Sequence, residues 1–198
     1  YVPSPYSIYQ GISKLIPGSI ITLSDVSKSN QIPSVSFYWQ LKNVISHRST
    51  NLFKGTPEEA VSTLKSHLNC AIDSQKMADV PVGAFLSGGI DSSTVVALMQ
   101  ERSTTPIHTF SIGFGEKNYD ESLYARRVAK HLHTNHTELH VTASDALDVI
   151  PDLPLIYDEP FADVSQIPTI LLSRLARQHV TVSLSGDGGD ELFCGYSR

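Results

Sequence analysis

Two short stretches of this sequence combine glycine, hydroxyl groups and carboxylates densely enough to do phosphate chemistry. The first is Ser87-Gly88-Gly89-Ile90-Asp91-Ser92-Ser93. Small residues let a backbone approach a phosphate closely, and free N–H groups at a helix start donate to it. Ser87, Ser92 and Ser93 add hydroxyl donors. Asp91 would repel a bare phosphate, so its natural use is to hold a Mg²⁺ that bridges phosphate oxygens. The stretch lacks the Gly-Lys-Ser/Thr ending of a Walker A loop and is not GxGxxG. The second stretch, Ser185-Gly186-Asp187-Gly188-Gly189-Asp190-Glu191, holds three glycines and three carboxylates in seven residues. A tight strand-to-helix turn capped by Ser or Asp accounts for one such loop. It accounts poorly for two. On one sheet edge, the pair could clamp a polyphosphate and its metals between Asp91 and Asp190.

The elements around these loops read as a parallel, doubly wound α/β sheet with a short N-terminal β appendage. A capping Thr56, then Pro57 and Glu59, opens a helix over 56–77, with Ala60, Val61, Leu64, Leu68, Ala71 and Ile72 inward. Residues 81–86 form a short apolar strand without alternation, as expected when both faces are buried. A helix follows over 91–101, and Ile107–Ile112 is a second strand. Asp120 can cap a helix to Leu132, with Leu123, Tyr124, Val128 and Leu132 inward. His136–Val141 and Val180–Leu184 are further strands, with helices over 144–150 and 166–178 between them. Strands alternating with helices point to a parallel sheet, whose ligands bind where strand ends lead into helices. The first 50 residues differ in texture, with Pro3, Pro5, Pro17 and Pro33 among them. They suggest a β-hairpin from runs at 19–23 and 35–40. Residues 41–55 read as a linker.

Composition narrows the function classes. The chain has 198 residues, 40% hydrophobic and 18% charged, which suits one large domain with a small appendage. A net charge of −5 argues against an overall basic surface for duplex nucleic acid. No apolar run approaches the roughly 18 residues of a membrane span. Cys70 and Cys194 are the only cysteines, a count typical of a reducing compartment. The expectation is a soluble cytoplasmic protein without nucleic-acid or membrane partners.

Ser87-Gly88-Gly89-Ile90-Asp91-Ser92 resembles the pyrophosphate-binding signature of PP-loop ATP pyrophosphatases. With Ser185-Gly186-Asp187-Gly188-Gly189-Asp190-Glu191-Leu192-Phe193-Cys194-Gly195-Tyr196, it is similar to the synthetase domain of glutamine-dependent asparagine synthetases. Phe110-Ser111-Ile112-Gly113-Phe114, Tyr119-Asp120-Glu121, Glu159-Pro160-Phe161-Ala162-Asp163 and Ile167-Pro168-Thr169 share the likeness. It covers residues 56–198. Residues 1–50 resemble the tail of the glutaminase-type domain that precedes it, with Tyr6 to Gly18 similar to that domain's last turn.

The resemblance implies a PP-loop fold of the adenine nucleotide alpha hydrolase type and a ligase using ATP and Mg²⁺. A substrate carboxylate attacks the α-phosphate of ATP, giving an acyl-adenylate and pyrophosphate. Ammonia, from glutamine on a glutaminase domain of the same chain, then displaces AMP to form an amide. Ser87, Gly88, Gly89, Asp91 and Ser92 would cradle pyrophosphate, and Asp91 and Asp190 would carry Mg²⁺. Leu86, Ile112 and Gly186 would line the adenine and ribose site. Asp187 would lie beside the reacting acyl group, where many family members carry Glu. L-aspartate is the expected acceptor. Some members place Thr-Thr-Ile-Arg near it where this chain has Ser165-Gln166-Ile167-Pro168, and relatives that amidate sugars or close a β-lactam keep the same nucleotide loops. The family's glutaminase Cys has no counterpart at Tyr1, and a downstream ATP-site Lys would lie beyond Arg198. A fragment truncated at its C-terminus is the corresponding expectation, with a nucleotide-binding module without turnover as the alternative to an active ligase. A homodimer is compatible with the sequence.

Other clusters have plainer uses. His131, His133, His136 and His140 form an H-x-H-x₂-H-x₃-H run that reads as helix-end and surface histidines rather than a zinc site. Cys194 reads as a packed or semi-exposed thiol, and Glu58 and Glu59 as helix-start charges. Arg126 and Arg127 read as a solvated helix face. Asp158, Glu159 and Asp163 divide between substrate contacts and helix caps.

Overall fold

The computed structural model describes residues 1–23, 34–48, 52–115 and 121–196. They form two units, one of Tyr1–Pro57 with Pro154–Ala162, the other of Glu58–Leu153 with Asp163–Arg198.

In the first unit, β1 (Ser19–Thr22) pairs antiparallel with β2 (Ser34–Phe37), Ser19 opposite Phe37. The two expected β runs therefore do form a hairpin. The expected linker does not hold throughout, because Leu41–Arg48 is a helix, α1. It bears no buried stripe; Leu41, Val44 and Ile45 are exposed. Local bonds start it instead: the amides of Asn43 and Val44 donate to the Gln40 carbonyl, and the Asn43 amide group donates to Gln40 Oε1 at 2.9 Å. Residues 154–162 join this unit through the Lys14–Glu159 ion pair and the Tyr9 hydroxyl, which donates to the Asp158 carbonyl at 2.9 Å.

The second unit starts with α2 (Pro57–Lys76), β3 (Val82–Phe85), α3 (Ile90–Glu101) and β4 (His108–Phe114). Then come α4 (Ser122–Leu132), β5 (Asn135–Val141), α5 (Ala143–Val149) and a 3₁₀ turn, followed by α6 (Leu153–Ile156), whose residues from Pro154 on belong to the first unit. It ends with α7 (Gln166–Ala176), β6 (Val182–Leu184) and α8 (Gly189–Phe193). The sheet runs β5-β4-β3-β6, every pair parallel. From β3 the chain steps outward through β4 to β5, then returns to lay β6 on the far side of β3. Ligands favour the crevice at the carboxyl ends of strands where strand order reverses, and here that crevice lies between β3 and β6.

Two cores flank the sheet, which explains the uninterrupted apolar strands. Ala84 and Leu86 pack with Val96, Met99, Ala125, Ala129 and Ile72 on the α2, α3 and α4 side. Phe110, Ala176 and Val180, with Phe85, Leu172 and Leu175, fill the α7 side. Only the second half of α2 reaches its core: Leu68 and Ile72 pack, whereas Val61 and Leu64 are exposed. In α4 the expected inward Leu123 and Tyr124 are also exposed, and Ser122, Ala125 and Ala129 are buried in their place. Close approach decides this, since a Cβ at Gly113 would lie 3.2 Å from Ser122 Cβ. Small residues must face the sheet there. Asp120 lies outside the described residues; Glu121 precedes α4, its carbonyl accepting from Tyr124 and Ala125.

Phe110 is fully buried, so Phe110→Ala should cost about 3–5 kcal/mol. Urea denaturation of the two proteins measures this; a loss below about 1 kcal/mol would mean the α7 side is not a packed core.

Candidate nucleotide site

The first glycine-rich loop leaves β3 and enters α3, the second leaves β6 and enters α8. Strand order alone therefore brings them together. Ser87 and Ser92 brace the first loop: their hydroxyls lie 2.9 Å apart, Gly89 N–H donates to Ser87 Oγ, and Ser92 Oγ donates to the Gly89 carbonyl. Gly89 precedes α3 and offers no capping side chain, so the helix's first-turn amides keep their capacity for an anion. Gly88 sits at φ +86°, where a Cβ would come within 2.6 Å of the Ala125 backbone nitrogen. Only glycine fits against α4 in that conformation.

The two loops touch through backbone. A Cβ on Gly186 would lie 2.6 Å from Ser92 N and 3.0 Å from the Asp91 carbonyl carbon. One on Gly189 would collide with the Asp91 carboxylate. In the second loop, Ser185 Oγ donates to Asp187 Oδ2 at 3.0 Å, and Gly195 N–H donates to the Asp190 carbonyl at 3.0 Å.

A cavity of about 720 Å³ opens where the loops meet, within the size range of small-molecule sites. Leu86, Ser87, Gly89, Asp91, Ser92, Ile112, Gly186, Asp187 and Asp190 all line it. Gly88 does not; it lies behind, against Tyr124 and Ala125. Lining residues given no role from sequence include Phe85, Ser111, Glu121, Thr169, Leu172 and Ser183. Glu121 and Thr169 fall in stretches quoted above for family likeness, a signal that could have found them. Ser183 carries no such signal.

Charge is the cavity's sharpest property. Asp91, Glu121, Asp187 and Asp190 line it, and among the described residues no Lys, Arg or His does. Neither Asp91 nor Asp190 is ion-paired among the described residues. Such a surface repels a bare polyphosphate and accepts one carrying divalent cations. Among the described residues no three His, Cys, Asp or Glu side chains group as a metal cage. That donor set fits Mg²⁺, which keeps its waters and is held by one or two carboxylates plus phosphate oxygens.

The other singled-out residues lie elsewhere. His131 is in the last turn of α4 and His133 ends that helix at φ +56°. His136 departs from the surface reading: its ring bridges Thr109 Oγ1 at 2.9 Å and Ser111 Oγ at 3.1 Å. Arg126 is not simply solvated, since its guanidinium donates to both Glu138 oxygens, at 2.8 and 2.9 Å. His140 meets the same carboxylate at 2.9 Å. Desolvation pushes the Glu138 carboxyl up, but hydrogen bonds from Arg126 and Ser122 and the charges of Arg126 and His140 together hold it below its usual range. Cys70 and Cys194 are free and exposed, Cys194 just past α8. Asp163 accepts from the amide and hydroxyl of Ser165 ahead of α7, a cap-like role. Asp158 and Glu159 belong to the first unit.

With the site built, comparison with known proteins places the chain. The asparagine synthase family model matches residues 63–198. The chain belongs to the asparagine synthase family. A putative glutamine-hydrolyzing asparagine synthetase 2 of Methanocaldococcus jannaschii is 43% identical over 197 residues, covering 99% of this chain and 36% of the relative. Asparagine synthetase 1 of Bacillus subtilis, also named glutamine-hydrolyzing, is 30% identical, covering 100% of this chain and 29% of the relative. The chain thus spans about a third of the length of these curated relatives. Among solved structures, an NH3-dependent NAD synthetase from Campylobacter jejuni aligns at TM-score 0.48 and 16% identity, covering 69% of this chain and 60% of that one. No helix among the described residues is long and apolar enough to cross a membrane.

Two outcomes follow. Gly186→Ala should separate the loops and weaken Mg²⁺-pyrophosphate binding by about tenfold or more while the protein stays folded; unchanged affinity by calorimetry would mean the loops do not act as a pair. Burial pushes the His136 ring below its ordinary 6.5, with Glu138 opposing and Arg126 adding to the effect. Between that lowered value and 6.5 the unfolded chain binds more protons than the folded one. Stability should therefore fall as pH drops through 6.5, levelling off below the folded value. Urea midpoints across that range should fall more steeply for the unmodified protein than for His136→Asn; equal slopes would contradict the assignment.

Proposed function

We propose that this chain is the ATP-using part of an amide-forming ligase that adenylates a carboxylate, L-aspartate in the first instance, and passes the acyl group to ammonia. The carrying observation is the cavity between two glycine-rich loops, whose charged lining among the described residues is Asp91, Glu121, Asp187 and Asp190. Polyphosphate chemistry there needs cations that the site's unpaired carboxylates are placed to recruit. Family membership and relatives named glutamine-hydrolyzing asparagine synthetases support the same reading.

In this reading the first-turn amides of α3 and the hydroxyls of Ser87 and Ser92 bind the pyrophosphate portion of ATP. Gly89 and Gly186 let the backbone come close enough to do so. Asp91 and Asp190 hold Mg²⁺, which offsets negative charge on the departing pyrophosphate. Leu86, Ile112 and Gly186 border the nucleoside. Asp187, steadied by Ser185, stands at the mouth of the second loop beside the reacting acyl group. The nitrogen comes from glutamine through a glutaminase domain of the same protein, in keeping with the relatives' greater length and printed names. Residues 1–50, with the β1–β2 hairpin, are the trailing end of that domain. The setting is the cytoplasm.

Incubation with ATP, Mg²⁺, ammonium and L-aspartate should yield AMP and pyrophosphate in equal amounts together with asparagine. Asp190→Asn should slow this by about 100-fold, on the order of 2.7 kcal/mol in the barrier. AMP formed only with a different carboxylate, such as a sugar acid, would replace the acceptor. No AMP with any carboxylate in a panel would remove the ligase reading.

A further inference from the structure

The cavity has two chemically different ends. Near the loops it is glycine, hydroxyl and carboxylate. On the α7 side its wall is Phe85, Ile112 and Leu172, interrupted by Thr169 of α7 and Ser183 of β6. Nothing in the fold explains this serine. Its Oγ is closed off from water and has no hydrogen-bond partner among the described residues. Leaving a buried hydroxyl unpaired costs free energy, and native proteins rarely do so without a reason. The residue opposite is Gly83, which has no side chain to offer as a partner and is crowded by Phe110, the His108 carbonyl and Val180. Alanine or valine would fit the strand without that cost.

We infer that Ser183 is a specificity-determining residue that hydrogen-bonds the polar edge of a nucleobase held against the apolar end of the cavity. The inference rests on the nucleotide reading above and adds a base-recognition contact to it. A nucleotide with its phosphates at the loops must direct its other end away from them. A largely apolar wall carrying the enclosed hydroxyl of Ser183 suits a flat ring with a hydrogen-bonding rim. Serine both donates and accepts, so it can meet either kind of base-edge group. One turn about Cα–Cβ carries its oxygen between staggered positions, and the base supplies the partner that the protein does not. The same hydroxyl therefore burdens the protein alone and favours the complex.

That opposition makes the test specific. The unmodified protein, Ser183→Ala and Ser183→Thr are titrated with ATP and with inorganic pyrophosphate, each with Mg²⁺, and melted without ligand. Ser183→Ala should bind ATP about 5–10-fold more weakly, bind pyrophosphate unchanged, and melt a few degrees higher. Ser183→Thr, which keeps the hydroxyl, should recover most of the ATP affinity. Equal ATP affinity in Ser183→Ala overturns the inference and leaves the nucleotide site standing. So does an equal loss for pyrophosphate, which would mean a disturbed loop, or a change confined to the acceptor carboxylate. Failure of the unmodified protein to bind either ligand overturns the nucleotide reading and this inference together.

Discussion

Backbone-to-backbone contact between two loops governs this protein. Gly186 lies so close to the Ser92 amide, and Gly189 to the Asp91 side chain, that neither position has room for a Cβ. That contact requires β3 and β6 to be neighbours, which requires the chain to return across the sheet after β5. The return in turn requires a second apolar face, and Phe110, Phe85 and the residues of α7 supply it. On the opposite side, Gly88 is held against α4, so that helix must present small residues such as Ala125. Sequence features far apart in the chain thus answer to one geometric demand.

The loops gather carboxylates where phosphate chemistry would ordinarily recruit lysine or arginine. Two positive ends of the design offset this only in part: helix-start amides carry partial charge, and hydroxyls carry dipoles. In the proposed reading the remaining balance would fall to divalent cations, and Asp91 and Asp190, in no ion pair among the described residues, would be free for that use. Arg126, by contrast, is committed to Glu138, a carboxylate it shares with His140. A chain of polar groups from Thr109 through His136 to Ser111 runs behind the cavity wall and keeps a half-buried histidine satisfied.

Much of this was legible in the sequence. Both loops, every strand of the parallel sheet and the helices after β3, β4 and β5 stand out, most clearly where the apolar runs of β3 and β6 end in glycine clusters; the short α8 after β6 does not. The misses have physical causes. Helix α1 rests on local bonds around Gln40 rather than a buried stripe, so periodicity does not reveal it. In α4, side-chain size misleads: Leu123 and Tyr124 look like core residues, but the sheet approaches too closely for anything larger than Ser122 or Ala125. Arg126 and His136 found partners on β5 and β4 that only the strand register brings within reach. Ser183 was invisible for a different reason. A serine in an apolar strand has no pattern, and its meaning lies in the partner it lacks.

Hydrogen–deuterium exchange with and without Mg²⁺-ATP tests the central claim most directly, because it reads both loops in one experiment. The account predicts that amides of residues 87–93 and 185–190 slow together, only when magnesium and nucleotide are both present. Protection of one loop alone, or protection without magnesium, would contradict a site built from their contact.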